Sequence, residues 1–155
     1  MKRMVLSHLI IKKMEAKDLD EVLDIEAISS LSPWSKNMFL EEMANPFAYC
    51  FIIQREMISK HQVMGFICFR NIGDESEILD ICVHPQYRQM GIGKRLMEFY
   101  IGFCKTLDIK MFHLEVSGLN RSAVHFYQQF SYQSLGKRKK FYQGKFDALL
   151  MTKKA

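Results

Sequence analysis

The sequence predicts a mixed α/β fold, with about seven strands in one sheet and about four helices against it. Two observations carry this. Apolar runs of strand length alternate along the chain with segments whose apolar residues recur at helical spacing. One strand–helix–strand step, from Ile78 to Val116, also demands a parallel crossover inside a chain otherwise joined by short turns.

In chain order, Leu9 to Met14 reads as a first strand. Asp18 to Ser29 is a helix opened by acidic residues, with Leu19, Val22, Leu23 and Ile25 at helical spacing. Pro33 breaks the chain, and Ser35 is placed to cap a short second helix reaching about Met43. Phe47 to Arg55 and Val63 to Asn71 read as paired strands joined by the polar stretch Glu56 to Gln62. Gly73 to Ser76 is a turn and Glu77 to Val83 a fourth strand. A long helix from Gly91 to Leu107 carries Ile92, Leu96, Phe99, Tyr100, Phe103 and Leu107 as its packing stripe. Met111 to Val116 is a fifth strand, Asn120 to Phe130 a helix, and Tyr132 onward with Phe146 to Met151 a closing hairpin.

With 155 residues, 48% hydrophobic and 25% charged, residues 1–155 are expected to form one globular domain with a real core. The longest apolar run, Phe47 to Ile53, is too short for a membrane span, and no signal peptide is evident, so a cytoplasmic location without membrane contact is expected. Cys50, Cys68, Cys82 and Cys104 lie far apart within apolar segments, which favours buried thiols over a disulfide framework or a zinc site. The scattered histidines likewise give no metal-ligand spacing, and no metal is expected. A net charge of +5 suits an acidic ligand. The basic run Lys137 to Lys140 lacks any accompanying nucleic-acid module, so direct nucleic-acid binding is not expected. The sequence leaves the oligomeric state open.

The stretch from Ile78 to Lys94 carries the most chemistry. An apolar strand stops at Pro85, a glycine-bearing turn comes next, and a helix starts at once. Free N–H groups at a helix N-terminus suit a phosphate, and glycines let backbone and ligand approach. A dinucleotide fingerprint would need glycine at Leu96; a Walker loop would need Ser or Thr at Arg95 and glycine at Arg88. An ordinary strand-to-helix turn could use the same two glycines.

The pattern Arg88-x-x-Gly91-x-Gly93 resembles the coenzyme A pyrophosphate loop of the GCN5-related N-acetyltransferases, whose element order also matches from end to end. The resemblance implies a mostly antiparallel sheet whose fourth and fifth strands splay apart. It also implies acetyl-CoA as co-substrate, held by Ile81, Cys82 and Val83 along the strand edge and by Arg88, Gln89, Met90, Gly91, Ile92, Gly93 and Lys94 at the turn.

Strand alternation sets Phe112, Leu114 and Val116 on one face and Met111, His113 and Glu115 on the other. A lone strand Glu can simply face water. The triplet Leu114-Glu115-Val116 nonetheless resembles that of the ribosomal-protein-alanine acetyltransferases, in which the Glu is the base. Asn120 and Tyr127, seven apart, project from nearly one helical face. They could cap and pack, but Asn120, Ala123 and Tyr127 match the family's Asn-x-x-Ala-x-x-x-Tyr. That match implies coenzyme binding by Asn120 and protonation of the leaving thiolate by Tyr127. Pro33, Trp34 and Tyr142 are the expected walls of the acceptor groove.

Ser117 and Leu119 stand where those enzymes usually have Arg and Ser, and the hairpin bearing Phe141 and Tyr142 looks shortened. The resemblance thus implies acetylation of a protein N-terminal α-amine, foremost the N-terminal alanine of a small-subunit ribosomal protein. A small amine or antibiotic is the next acceptor. A catalytically silent acyl-CoA-binding protein is a third reading, but it predicts loss of Glu115 or Tyr127, and both are present.

Overall fold

A computed structural model describes residues 8–58, 60–142 and 146–155; the side chains of residues 137–142, 146 and 147 lie outside the description. The elements run β1 (Leu9–Lys13), α1 (Leu19–Ser29), α2 (Lys36–Ala44), β2 (Ala48–Glu56), β3 (His61–Ile72), β4 (Glu75–Val83), α3 (Ile92–Thr106), β5 (Met111–Ser117), α4 (Arg121–Gln128), β6 (Gln133–Tyr142) and β7 (Phe146–Lys154). One seven-stranded sheet holds them in the order β1-β2-β3-β4-β5-β7-β6. All neighbours are antiparallel except β4 and β5, whose parallel pairing is spanned by α3.

The sheet divides two cores. Residues 63–69 of β3 are all buried, as befits a central strand covered on both sides. On one side Met64, Ile67 and Phe69 pack with Leu96, Tyr100, Leu114 and Tyr127, under α3 and α4. On the other, Phe66 and Cys68 pack with Leu19, Val22, Ile25 and Phe39, under α1 and α2. All four cysteines are buried free thiols.

Several boundaries differ from expectation. Cross-strand pairing carries β2 to Glu56 and β3 back to His61, so the polar connection is shorter than its composition suggests. The turn expected over Gly73 to Ser76 narrows to Gly73 and Asp74, because Ile72 already pairs with Glu75 and Gly73 takes φ +61°. Leu107 falls off the α3 stripe and is 43% exposed. Its place is taken by Met97 and Cys104, which are buried. β7 runs on to Lys154 because Met111 of β5 pairs with it there.

Candidate active site

The parallel pairing of β4 with β5 covers only Glu75 to Ile78 against Met111 to Leu114. Beyond that point β4 continues to Val83 and β5 to Ser117 with no pairing between them, so the sheet opens into a V. A bulge lies at the same point. β3 pairs Phe69 with Ile78 but Cys68 with Asp80, leaving Leu79 as the extra residue. A bulge bends its strand and reverses the facing of the residues beyond it. Ile78 accordingly joins the α3-side core, whereas Cys82 joins the α1-side core and Ile81 and Val83 pack toward α3.

The His84 N–H donates to the Met64 carbonyl at 2.8 Å, which fixes the parity of the strand. Residues 82 and 84 thus address β3, and the backbone groups of Ile81 and Val83 address the opening. Arg88 closes the loop behind that edge. Its Nε donates to the Val83 carbonyl at 3.3 Å and its Nη2 to Ser29 Oγ at 3.1 Å.

The next turn is tight, with Gln89 at φ +61° and Gly91 at φ +80°. Gly91 is the N-cap of the 15-residue α3 and offers no side-chain cap, so the first-turn N–H groups of α3 point outward without one. The two glycines have different tasks. A Cβ at Gly91 would meet nothing within 4 Å, so Gly91 is required by its φ. A Cβ at Gly93 would stand 3.3 Å from the Phe126 ring, so that glycine lets α4 approach α3. Met90 packs partly against the α3-side core, and Lys94 lies 3.8 Å from Glu98 one turn along the helix.

Glu115 is the first residue of the free arm of β5, one beyond the last β4–β5 pair, and is half-buried. Phe112, Leu114 and Val116 are buried on the α3 side, which puts Glu115 on the α1 side. Tyr127 stands on the other face. It is 9% exposed, with ring contacts to Phe126 at 5.4 Å and Tyr132 at 5.9 Å. The candidate base and candidate acid therefore stand on opposite sides of the sheet.

Asn120 is the N-cap of α4, its Oδ1 accepting from the Ala123 N–H at 3.1 Å, so capping already occupies its carbonyl. Trp34 is half-buried, stacked obliquely on Phe39 at 5.0 Å, and Pro33 beside it is exposed. Tyr142 pairs with Phe146 at the end of β6, and its side chain lies outside the described residues, as do those of Lys137 to Lys140.

One cluster escaped the sequence reading. Glu26 of α1 is 0% exposed, and its Oε2 accepts the backbone N–H of Trp34 at 3.0 Å. Its Oε1 lies 3.5 Å from Cys82 Sγ, which in turn lies 3.4 Å from Asp80 Oδ1. Burial, reinforced by the neighbouring Glu26, pushes the Asp80 carboxyl up to about 8. The only signal in the sequence was an aspartate inside the apolar run Leu79-Asp80-Ile81.

Comparison with known proteins settles the family. The acetyltransferase (GNAT) family model matches residues 19–132. The chain belongs to that family. A Bacillus subtilis (strain 168) protein, named provisionally as a ribosomal protein bS18-alanine N-acetyltransferase, is 33% identical over 91% of this chain and 92% of its own length. The crystal structure of the Escherichia coli ribosomal-protein-S18-alanine N-acetyltransferase superposes with TM-score 0.82 at 24% identity, covering 93% of this acetyltransferase and 92% of that chain. Arabidopsis thaliana NAA60 in complex with acetyl-CoA gives TM-score 0.82 at 17% identity, covering 94% and 98%. The protein is thus an acyltransferase of the GNAT fold, with the strands parting as the family resemblance implied. Among the described residues no helix is long and apolar enough to cross a membrane.

Proposed function

We propose that this acetyltransferase moves the acetyl group of acetyl-CoA to the N-terminal α-amine of a protein, foremost the N-terminal alanine of ribosomal protein bS18. The observation that carries the reading is the parting of β4 and β5 after Ile78 and Leu114, with Glu115 one residue past the last pair and Tyr127 packed on the α3 side of the sheet. The names of the relatives supply the acceptor.

Each residue has a part. Along Ile81, Cys82 and Val83, the backbone groups of residues 81 and 83 face away from β3 and give an extended pantetheine arm an edge to add to as a strand, with one N–H directed to the thioester oxygen. The turn from Gln89 to Lys94 and the start of α3 hold the pyrophosphate. Arg88 fixes that turn to Val83 and Ser29, and Asn120 orders the start of α4 with its amide nitrogen toward the coenzyme. Glu115 takes the proton lost by the acceptor amine, directly or through water. Tyr127 gives one to the departing thiolate, a transfer from a phenol near pKa ~10 to a thiolate near ~8.5 that needs a favourable local field. Pro33, Trp34 and Tyr142 wall the groove in which the acceptor peptide lies. The setting is the cytoplasm.

An α-amine has pKa ~7.7–8.0 against ~10.4 for a lysine side chain, so far more of it is neutral at pH 7. One carboxylate suffices for such a nucleophile. The test is mass spectrometry of a panel offering peptides with Ala or another small first residue, blocked peptides with one lysine, spermidine and an aminoglycoside. Acetylation confined to the small-residue N-termini is the expected result. Faster turnover of spermidine or the aminoglycoside overturns the protein-acceptor reading.

A further inference from the structure

Beneath the proposed acceptor wall, at the bend where β4 leaves β5, two carboxyls face one another across a thiol. Glu26, Asp80 and Cys82 each present a polar atom within 4.8 Å of the others. Glu26 is fully buried, and Asp80 Oδ2 is buried with no donor set against it among the described residues. An ionised Oδ2 there would be an unsolvated charge beside a second acid, which is costly. A proton on Oδ2 turns the orphan acceptor into a donor toward Glu26. The Glu26 carboxylate then receives Asp80 O–H, Cys82 S–H and the Trp34 N–H together.

The Cys82 thiol and the Ile81 N–H favour the ionised Asp80 carboxyl, but burial and the neighbouring Glu26 outweigh them. From β3 the group opposite Asp80 is the buried Cys68, itself beside Cys50 of β2. From β4 it is Cys82, and from α1 it is Glu26. Arg88 reaches α1 at Ser29 and is already bound to the Val83 carbonyl, while Glu21 is engaged by the Val63 N–H.

We infer that Glu26 and Asp80 hold one shared proton and that this proton positions Trp34, and with it the acceptor groove, against the open edge of β4. Neither residue is a catalytic group; both act through Trp34. Loss of the proton sets two buried carboxylates against each other and releases the Trp34 N–H. The bulge at Leu79 is what brings this about, because it turns Asp80 toward α1. This inference rests on the protein-acceptor reading for the role of Trp34, but the coupling of proton to tryptophan can be read without any turnover.

Trp34 is the one tryptophan of the chain, so its fluorescence reports this segment alone. A titration of the whole protein from pH 6.5 to 9.5 should show a Trp34 emission transition centred near 8, the value at which burial and Glu26 hold Asp80. D80N places a permanent donor beside Glu26 and should abolish the transition. E26Q keeps an acceptor for Trp34 but removes the opposing charge, and should shift the transition to lower pH. In the parent, the acceptor-peptide KM should rise roughly tenfold at pH 9 relative to D80N, tracking the fraction of competent enzyme. The acetyl-CoA Kd should not change with it.

A parent without the transition, or one shared unchanged by D80N, overturns the inference. So does a transition with no difference in KM, and so does one removed by EDTA, which would put a cation where we place the proton. If the parent acetylates no N-terminus at all, the acceptor reading fails on its own, and the fluorescence arm still decides whether the proton holds Trp34.

Discussion

Two glutamates are buried under the same face of the sheet and are answered in opposite ways. Glu42 of α2 meets Arg70 of β3 as a fork, with Nε donating to Oε2 at 2.7 Å and Nη2 to Oε1 at 2.6 Å. Glu26 of α1 meets Asp80, a second acid. The first pairing satisfies charge and geometry together and ties α2 to the sheet. The second sets two acids against each other, a conflict that the proposed shared proton relieves. Conflicts of this kind sit where a fold has work other than standing up, and this one lies where β4 parts from β5.

A third carboxylate shares that face, and it gives the largest expected effect. Glu115→Gln should lower kcat by roughly 10²–10⁴ while acetyl-CoA binding stays close to the parent's, since the carboxylate meets the amine rather than the coenzyme. Tyr127→Phe, on the other side of the sheet, should lower kcat comparably. Stopped-flow single turnovers with an Ala-initiated peptide measure both. Full activity of Glu115→Gln at neutral pH would leave water as the base and reduce the comparison to its two buried members.

The next effect is one of stability and turns on a sign. The Asp80 carboxyl titrates near 8 when folded, against an ordinary value of 3.8 in the unfolded chain. Below 3.8 both states are protonated and nothing is lost. As pH rises from 3.8 to 8 the unfolded chain sheds a proton that the native state keeps, so stability falls across that window and then levels off. Asp80→Asn removes the liability. It should stabilise the fold at pH 7 by at most about 4 kcal/mol, at about 1.36 kcal/mol per pH unit, and by almost nothing near pH ~4. Urea midpoints at the two pH values give the answer. Equal gains at both would mean that packing, not the proton, separates the variants.

Much of this was legible in the sequence, and the illegible part has one physical character. Strands and helices emerged from local apolar spacing, and Glu115 was assigned its face by alternation alone. The glycine turn was legible as a turn, but not that Gly93 serves Phe126, because that contact joins helices 33 residues apart in sequence. The Glu26–Asp80 pair was hidden for the same reason with one more step. Strict alternation puts Ile78, Asp80 and Cys82 on one face. The bulge at Leu79 breaks that rule, and a bulge is set by the register of β3 against β4, which no local pattern in β4 records.

The smallest effect tests the glutamate that is well answered. Arg70→Met removes the fork and leaves Glu42 with an apolar neighbour. The Glu42 side chain is 8% exposed while that of Arg70 is 42% exposed, so solvent screens the pair from one side only. The cost should be about 1–3 kcal/mol, below the value for a fully buried pair and above that of a surface one. Arg70→Lys should recover part of it, because a point charge can meet one oxygen but not both. Both losses should appear in the urea midpoint and leave the pH dependence of the acceptor KM unchanged, since Glu42 has no bond to Trp34. If Arg70→Met moved that pH profile as Asp80→Asn should, the two glutamates would belong to one network and the contrast between them would be false.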